Sequence, residues 1–273
     1  MPREPAPPGH GFTAVDDQPD PGAWVRLLDK LDQEPFYRGY KARVLELLGP
    51  ARGGRYLDVG GGTGAGARAL AARAGGGARA VVVDRSATMA AEAHRRGGVA
   101  VAGAAEALPF GDASFDGCWA DRTFQHLADP GRALAGMIRV TRPAGRVVTC
   151  DPDYGTQVVD VEDQQLAHRV LRFRADHLLR NGTLAHRMPG LMAAAGLVDV
   201  RVEAMTLVVR DHRAVDDVMG LRTWAATAQR RGVLDAAAAA AWPRAVDRAV
   251  AAGRFLYAVT FFLTVGVRPA APG

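Results

Sequence analysis

A glycine-rich turn that follows a short apolar strand is the feature of this sequence with the clearest chemical potential. Residues 56–64 (YLDVGGGTG) read as a strand, a turn and the start of a helix. Glycine permits positive φ angles and lets a ligand approach the backbone closely, and the N-terminus of a helix favours negative charge. The turn alone is also compatible with a plain tight turn or a dinucleotide loop, because Gly60, Gly62 and Ala65 satisfy a loose G-x-G-x-x-A pattern.

Two acidic residues narrow the choice of ligand. Asp58 lies inside the strand, two residues before the first glycine. A carboxylate at this position suits a cationic ligand and would repel a pyrophosphate. Asp84 ends the next predicted strand, about twenty residues after the loop, where a ribose-binding acid sits in such folds. The alternative for Asp84 is a helix-capping or surface acid.

Short apolar strands that alternate with helices must position these residues. Strands are predicted at 55–59, 80–83, 99–102, 115–120, 146–150, 198–209 and 255–267. Such an alternation implies a parallel sheet covered by helices on both faces. The chain then divides into a disordered leader (1–20), two N-terminal helices separated by Pro35 (21–50), the sheet core (51–155), a helical cap segment (156–196), and final strands with a helical insert at 211–253 (197–268).

Four motifs in the core resemble those of class I S-adenosylmethionine-dependent methyltransferases, in the group that includes the ubiquinone and menaquinone biosynthesis enzymes. They lie in order at 56–64, where Gly61 replaces a common cysteine, at 81–84 (VVVD), at 104–116 (AAEALPF, then DASFD) and at 142–146 (RPAGR). The resemblance covers roughly residues 55–151. It implies an α/β fold with a doubly wound, mostly parallel, seven-stranded Rossmann-like sheet and helical cap segments. It also implies S-adenosylmethionine as cofactor and S-adenosylhomocysteine as product.

The resemblance assigns cofactor roles residue by residue. Asp58 is expected at the methionine end and Asp84 at the ribose hydroxyls, with Tyr40 closing over the site from the N-terminal helices. The family often has an acid after the third strand for the adenine amine, but here Gly103 is followed by two alanines, so adenine falls to backbone groups near Ala105 or to Glu106. The full expected set is Asp58, Gly60, Gly61, Gly62, Gly64, Asp84, Arg85, Ala105, Glu106, Asp121 and Tyr40.

His126 is the candidate general base for transfer to a hydroxyl. It follows the fourth strand, near the rim where the parallel strands end, and histidine is the usual residue for this task. The alternative is a histidine that packs against the sheet or caps the next helix. Expected acceptor contacts are Arg122, Asp151, Tyr154 and His212, the last as second-choice base. No metal signature is present.

Composition limits the remaining classes of function. The net charge of +5 comes almost entirely from scattered arginines, which indicates the codon bias of a GC-rich genome more than a nucleic-acid-binding face. Two cysteines, Cys118 and Cys150, form neither a disulfide framework nor a zinc motif. Without a signal peptide or a membrane-spanning run, the chain is expected in the cytoplasm.

The sequence therefore predicts a methyltransferase that acts on a small molecule, in the manner of secondary-metabolite enzymes, with O-methylation slightly favoured over N- or C-methylation. Three alternatives remain: an RNA methyltransferase, an NAD-dependent oxidoreductase, and a cofactor-binding protein that transfers no methyl group. Neither nucleic acid nor membrane is favoured as a partner. The oligomeric state, monomer or homodimer, is left open.

Overall fold

Ten helices and seven strands make up most of the chain in the computed structural model, which describes residues 11–270. The helices among these residues are α1 (Pro21–Gln33), α2 (Pro35–Leu48), α3 (Ala65–Ala74), α4 (Ala87–Arg95), α5 (Pro130–Val140), α6 (Gln164–Phe173), α7 (Met188–Ala194), α8 (His212–Met219), α9 (Trp224–Arg230) and α10 (Ala236–Ala251). The strands are β1 (Arg55–Val59), β2 (Arg79–Asp84), β3 (Val99–Ala102), β4 (Phe115–Asp121), β5 (Thr141–Val159), β6 (Val198–Val209) and β7 (Tyr257–Val267).

The strands form one seven-stranded sheet in the order β3-β2-β1-β4-β5-β7-β6. Strands β1 to β5 pair in parallel, and β7 runs antiparallel to both of its neighbours. This confirms the predicted doubly wound, mostly parallel sheet. The strand order reverses between β1 and β4, and ligands of open α/β sheets bind at such a switch point, beyond the carboxyl ends of the strands.

Alternating side chains along the central strands bury both faces of the sheet. On one face, Tyr56, Trp119 and Val148 join a core that includes residues of α1 to α4, α6 and α8 to α10. On the other face, Leu57 and Cys118 join a core with α5 and α7. Because helices cover both faces, the polar ends of the strands are left as the place for a ligand.

Prolines, glycines and helix-capping side chains explain why many predicted elements have the observed bounds. The first helices are separated by Pro35, and Gly49 ends α2 with a left-handed φ of 63°. The side chains of Asp20 and Ser86 accept hydrogen bonds from backbone N–H groups in the first turns of α1 and α4. Such N-caps satisfy donors that a helix cannot pair internally.

The bounds of other elements differ from the prediction, in part because strands that are distant in the sequence pair with each other. Residues 142–145, within the motif at 142–146, form a register shift within β5, which begins by pairing Thr141 with Phe115. After the predicted end of this strand, pairing with β7 carries β5 on to Val159. The predicted helical cap segment contains α6, a π-helical turn at Arg174–Leu178 and α7, and glycines interrupt the helical insert.

The prediction of a disordered leader is wrong for residues 11–20, whereas residues 1–10 lie outside the described part. Val15 is buried in the fold. The carboxylate of Asp16 accepts hydrogen bonds from Ser86 Oγ at 2.7 Å and from the backbone N–H groups of Ala87 and Thr88 at 2.8 and 3.1 Å. Hydrogen bonds from Ser86 and Thr88 lower the pKa of Asp16 to about 2, so this charged group fastens the segment to the N-terminus of α4.

Among the described residues there is neither a helix that could span a membrane nor a disulfide bond. From residue 11 to residue 270, no helix is both long enough and apolar enough to cross a membrane. Cys118 and Cys150 are buried free thiols, and burial raises the pKa of Cys118 to about 12. Both thiols therefore pack as small apolar groups.

Candidate active site

A cavity of about 450 Å³ opens beyond the carboxyl ends of β1, β2 and β4. Its volume lies within the range of small-molecule and cofactor sites, about 300–1,000 Å³. Among the residues that the structure describes, those that line it lie between positions 12 and 127. The predicted site residues that it brings together are Asp58, Gly60, Gly61, Gly62, Asp84, Arg85, Ala105, Glu106, Asp121, Arg122 and His126.

The glycine turn forms one wall of this cavity. The N–H groups of Gly60 and Gly61 donate to the carbonyl of Val83, at 2.7 and 3.3 Å. Gly60 has a φ of 71°, and a Cβ atom added there would collide with the Thr123 side chain. A Cβ atom at Gly61 would lie 2.6 Å from Cγ of Asp58. At Gly60 the turn therefore requires glycine, for its backbone conformation and for its close distance to Thr123.

Replacing Gly60 by alanine is expected to weaken binding of an adenosine cofactor at least tenfold. The φ of 71° is unfavourable for alanine, and the new methyl group would displace the Thr123 side chain, which lines the cavity. Calorimetric titration with S-adenosylhomocysteine measures the effect. Gly53→Ala is the matched control, since Gly53 has a similar φ of 73° but a Cβ atom there meets nothing within 4 Å. Wild-type affinity in the Gly60→Ala variant would contradict this account of the turn.

Two carboxyl groups give this end of the cavity its electrostatic character. Asp58 is almost fully buried, and burial, followed by the nearby charge of Asp121, raises its pKa well above the usual range. Asp121 Oδ2 accepts a hydrogen bond from the Tyr40 hydroxyl at 3.1 Å and lies 3.7 Å from Lys41 Nζ. Asp121 Oδ1 is buried and makes no hydrogen bond with the described residues, although Arg122 Nε lies 3.7 Å away. A cationic ligand would complete this arrangement.

Asp84 is held rigidly at the end of β2. Its Oδ2 accepts a hydrogen bond from the N–H of Gly62 and its Oδ1 from the N–H of Ser86, both at 2.9 Å. Burial raises the pKa of this carboxyl group. A fixed carboxylate that lines a cavity has lone pairs left to accept hydrogen bonds from two neighbouring hydroxyl groups, as a ribose presents.

The far end of the cavity combines apolar walls with backbone groups. Val83, Met89 and Leu127 line it together with Ala105 and Glu106. Oε1 of Glu106 accepts a hydrogen bond from the N–H of Ala128 at 3.0 Å, which leaves its other oxygen for a ligand. This end suits a flat aromatic ring with polar edges.

His126 lies on a short 3-10 turn, Phe124–His126, at the rim of the same cavity. The ring of Phe12 reaches it from the N-terminal segment, with ring centroids 6.3 Å apart. Before the turn, Arg122 adopts a φ of 53° and its guanidinium lies 5.1 Å from the centroid of the Tyr37 ring. Backbone strain at a non-glycine residue is common at functional sites.

The other predicted site residues do not line the cavity. Gly64 lies before α3 with a φ of 75°, and Tyr40 reaches the site only through its hydrogen bond to Asp121. Tyr154 packs under the guanidinium of Arg174, and His212 lies against Phe255. Asp151 is buried behind the turn that carries His126, and no residue of the predicted cap lines the cavity. Acceptor contacts by Asp151, Tyr154 and His212 stay predictions.

Sequence reasoning missed part of the cavity wall. Phe12, Thr13 and Val15 close it from the segment that was expected to be disordered. The only signal for this role was a pair of apolar residues, Phe12 and Val15, in an otherwise polar and proline-rich stretch. Within the described residues, no cluster of His, Cys, Asp or Glu could hold a metal ion.

Comparisons with known proteins agree with this site. The family described as a methyltransferase domain matches residues 57–149. An uncharacterised 37.1 kDa protein of transposon Tn4556 from Streptomyces fradiae is 35% identical over 246 residues, which cover 88% of this chain and 70% of that protein. Demethylmenaquinone methyltransferase of Mycobacterium sp. (strain KMS) is 37% identical over 121 residues, 44% of this chain and 50% of the relative, so the match spans about half the length of that enzyme.

The fold has a counterpart among solved methyltransferases. Phosphoethanolamine N-methyltransferase 2 of Haemonchus contortus, in complex with phosphomonomethylethanolamine and S-adenosylhomocysteine, superposes with a TM-score of 0.61 at 18% identity, over 94% of this chain and 60% of that one. Sheet order, cavity and sequence matches together define an enzyme that transfers methyl groups. The chain belongs to the class I S-adenosylmethionine-dependent methyltransferases.

The residues present fit S-adenosylmethionine as the cofactor. The buried carboxyls of Asp58 and Asp121, one with an oxygen that lacks a hydrogen bond, suit the positive charges of its methionine end. Asp84 suits the ribose hydroxyls, and the apolar end of the cavity suits adenine. At Gly60, where a side chain would collide with Thr123, the backbone is left open to the cofactor.

Proposed function

We propose that this methyltransferase acts on a hydroxyl group of a small molecule, with His126 as the general base. The observation that carries the proposal is that His126 lines the same cavity as the carboxyls that suit the methyl donor. A cavity of about 450 Å³ admits a small acceptor at its rim more readily than a folded polymer.

S-adenosylmethionine supplies a methyl group on a positively charged sulfur, which a nucleophile attacks in line with the breaking bond. The task of the protein is to hold both reactants in that alignment and to exclude water. Orientation of this kind lowers a barrier by about 7–11 kcal/mol. Asp58, Asp84 and Asp121 would hold the donor at three points, which fixes the position of the methyl group relative to the rim turn.

His126 would accept the proton that a hydroxyl loses as its oxygen attacks. A neutral imidazole offers one acceptor nitrogen, and a positioned general base accelerates such a step by about 10²–10⁴-fold. A neutral amine can attack before it loses a proton, so it depends less on a general base than a hydroxyl does. The presence of His126 at the cavity therefore favours a hydroxyl acceptor. Of the expected acceptor contacts, Arg122 lines this cavity and is the one that the proposal keeps.

A role in secondary metabolism and a cytoplasmic location complete the proposal. The composition rich in alanine, glycine and arginine supports the first. Two buried, unpaired thiols are compatible with a reducing compartment.

The proposal is tested in two stages. In the first, the purified chain is titrated calorimetrically with S-adenosylmethionine, S-adenosylhomocysteine and NAD in parallel, and we expect micromolar binding of the first two only. In the second, pooled small molecules that carry phenols, alcohols or amines are screened for release of S-adenosylhomocysteine, with structured RNA as a separate arm. Methylation confined to amines, to carbon or to RNA would overturn the assignment of a hydroxyl acceptor.

A further inference from the structure

A single residue of the C-terminal half makes three hydrogen bonds to the turn that carries His126. Asn181 is the only asparagine in the sequence. Its Nδ2 donates to the carbonyl of Phe124 at 2.9 Å and to that of Leu127 at 2.8 Å. Its backbone N–H donates to the carbonyl of Gln125 at 3.1 Å. Asn181, which does not line the cavity, therefore holds the 3-10 turn through three backbone carbonyls.

The side chain of Asn181 is chemically matched to this task. A primary amide carries two N–H donors on one nitrogen, so it can bond two carbonyl groups at once. Aspartate would place an oxygen against those carbonyls, and alanine would leave both without these partners. Neither replacement reproduces the contact, although aspartate keeps the size of the side chain.

The loop that carries Asn181 is itself anchored to β5. The N–H of Tyr154 donates to the carbonyl of Gly182 at 2.8 Å. The fully buried carboxylate of Asp153 accepts hydrogen bonds from the backbone N–H of His186 at 3.0 Å and from its ring Nδ1 at 2.6 Å. Because the chain is fixed to β5 immediately after Asn181, these contacts limit where Asn181 can lie relative to the sheet.

A second contact fixes the turn from the sheet. Asp151 Oδ1 accepts a hydrogen bond from the N–H of Gln125 at 3.1 Å. Burial raises the pKa of Asp151 well above the usual range. The backbone of the turn is thus clamped between β5 and the Asn181 loop, while Gln125 and His126 line the cavity.

We infer that Asn181 is a positioning residue, which sets the 3-10 turn and with it the imidazole of His126 against the bound methyl donor. The role of His126 in this inference rests on the proposed function, whereas the placement of the turn does not. Displacement of a catalytic group by about 1 Å costs on the order of 100-fold in rate.

The test compares Asn181→Ala and Asn181→Asp with Arg180→Ala, which removes the exposed side chain next to it in the same loop. All are studied with S-adenosylhomocysteine bound. Histidine ring signals are followed by NMR, with that of His126 assigned from a His126→Gln variant. We expect the Asn181 variants to shift or broaden the His126 signal, to leave that of the exposed His94 unchanged, and to retain S-adenosylhomocysteine affinity within about threefold. Arg180→Ala should change none of these.

An unshifted His126 signal in both folded Asn181 variants would overturn the inference, and so would loss of all histidine signals alike, which would indicate general unfolding. On an acceptor from the screen, turnover should fall on the order of 100-fold in Asn181→Ala. If His126→Ala keeps full turnover while Asn181→Ala loses it, the proposed base fails and the positioning role stands. If only His126→Ala loses turnover, the positioning role fails.

Discussion

Replacing Asp84 by alanine is expected to weaken binding of S-adenosylhomocysteine by on the order of 100-fold. Hydrogen bonds to a charged acceptor contribute about 1.5–3 kcal/mol each, and the variant would lose two to the ribose hydroxyls. Since about 1.4 kcal/mol corresponds to tenfold in affinity, the two together account for this factor. Calorimetric titration measures the loss. Thermal unfolding, followed by circular dichroism, should show that the fold survives.

The pH dependence of binding provides a second measure of the same carboxyl group. Because burial raises the pKa of Asp84, the group is protonated at a higher pH than an exposed aspartate. Protonation removes acceptor capacity, so wild-type affinity should decline as the pH falls through this raised pKa, and Asp84→Asn should lose that part of the decline. Asp160→Ala, which removes an exposed acid outside the cavity lining, is the control. Wild-type affinity in Asp84→Ala would contradict the assignment of the ribose site.

Replacing His126 by alanine is expected to lower turnover by about 10²–10⁴-fold, the usual contribution of a general base. S-adenosylhomocysteine affinity should change little, because the three carboxyl groups that hold the donor are untouched. The measurement is the initial rate with an acceptor identified in the screen, under saturating S-adenosylmethionine. A rate that falls while S-adenosylhomocysteine affinity stays constant would place the effect of His126 in the transfer step.

His94→Ala is the matched control for His126, since it removes an exposed histidine near the end of α4. It should retain the wild-type turnover. Unchanged turnover of His126→Ala on the true substrate would remove His126 from the mechanism. Alignment of the reactants would then remain as the source of catalysis.

The sequence was sufficient for elements whose ends are set locally. The bounds of β1 and β6 were predicted correctly, because glycines or a change of hydrophobic period lie at their ends. The sequence was insufficient where pairing with residues far away in the chain determines the bounds of an element. The extension of β5 to Val159 depends on pairing with β7, about a hundred residues away, and no local pattern records that pairing.

In the candidate site, too, some residues could be identified from local sequence, whereas others depend on contacts between distant parts of the chain. Asp58 and Asp84 could be identified because a strand, a glycine turn and a second strand place them within one local unit. The contacts of Asp16 with the start of α4 and of Asn181 with the His126 turn join positions more than fifty residues apart. Such contacts depend on the packed tertiary structure, so residue type and spacing gave no indication of either.

Among residues 11–270, the cavity lining comes only from positions 12 to 127, and this has a consequence for how this enzyme can diversify. A gene that acquired a new second half would keep this wall of its donor pocket, provided that the replacement restored the supports now given by Asp151 and Asn181. Mutations in that half can accumulate without altering the chemistry of the wall. The residues that line the donor pocket can therefore evolve separately from the residues that hold the His126 turn in place.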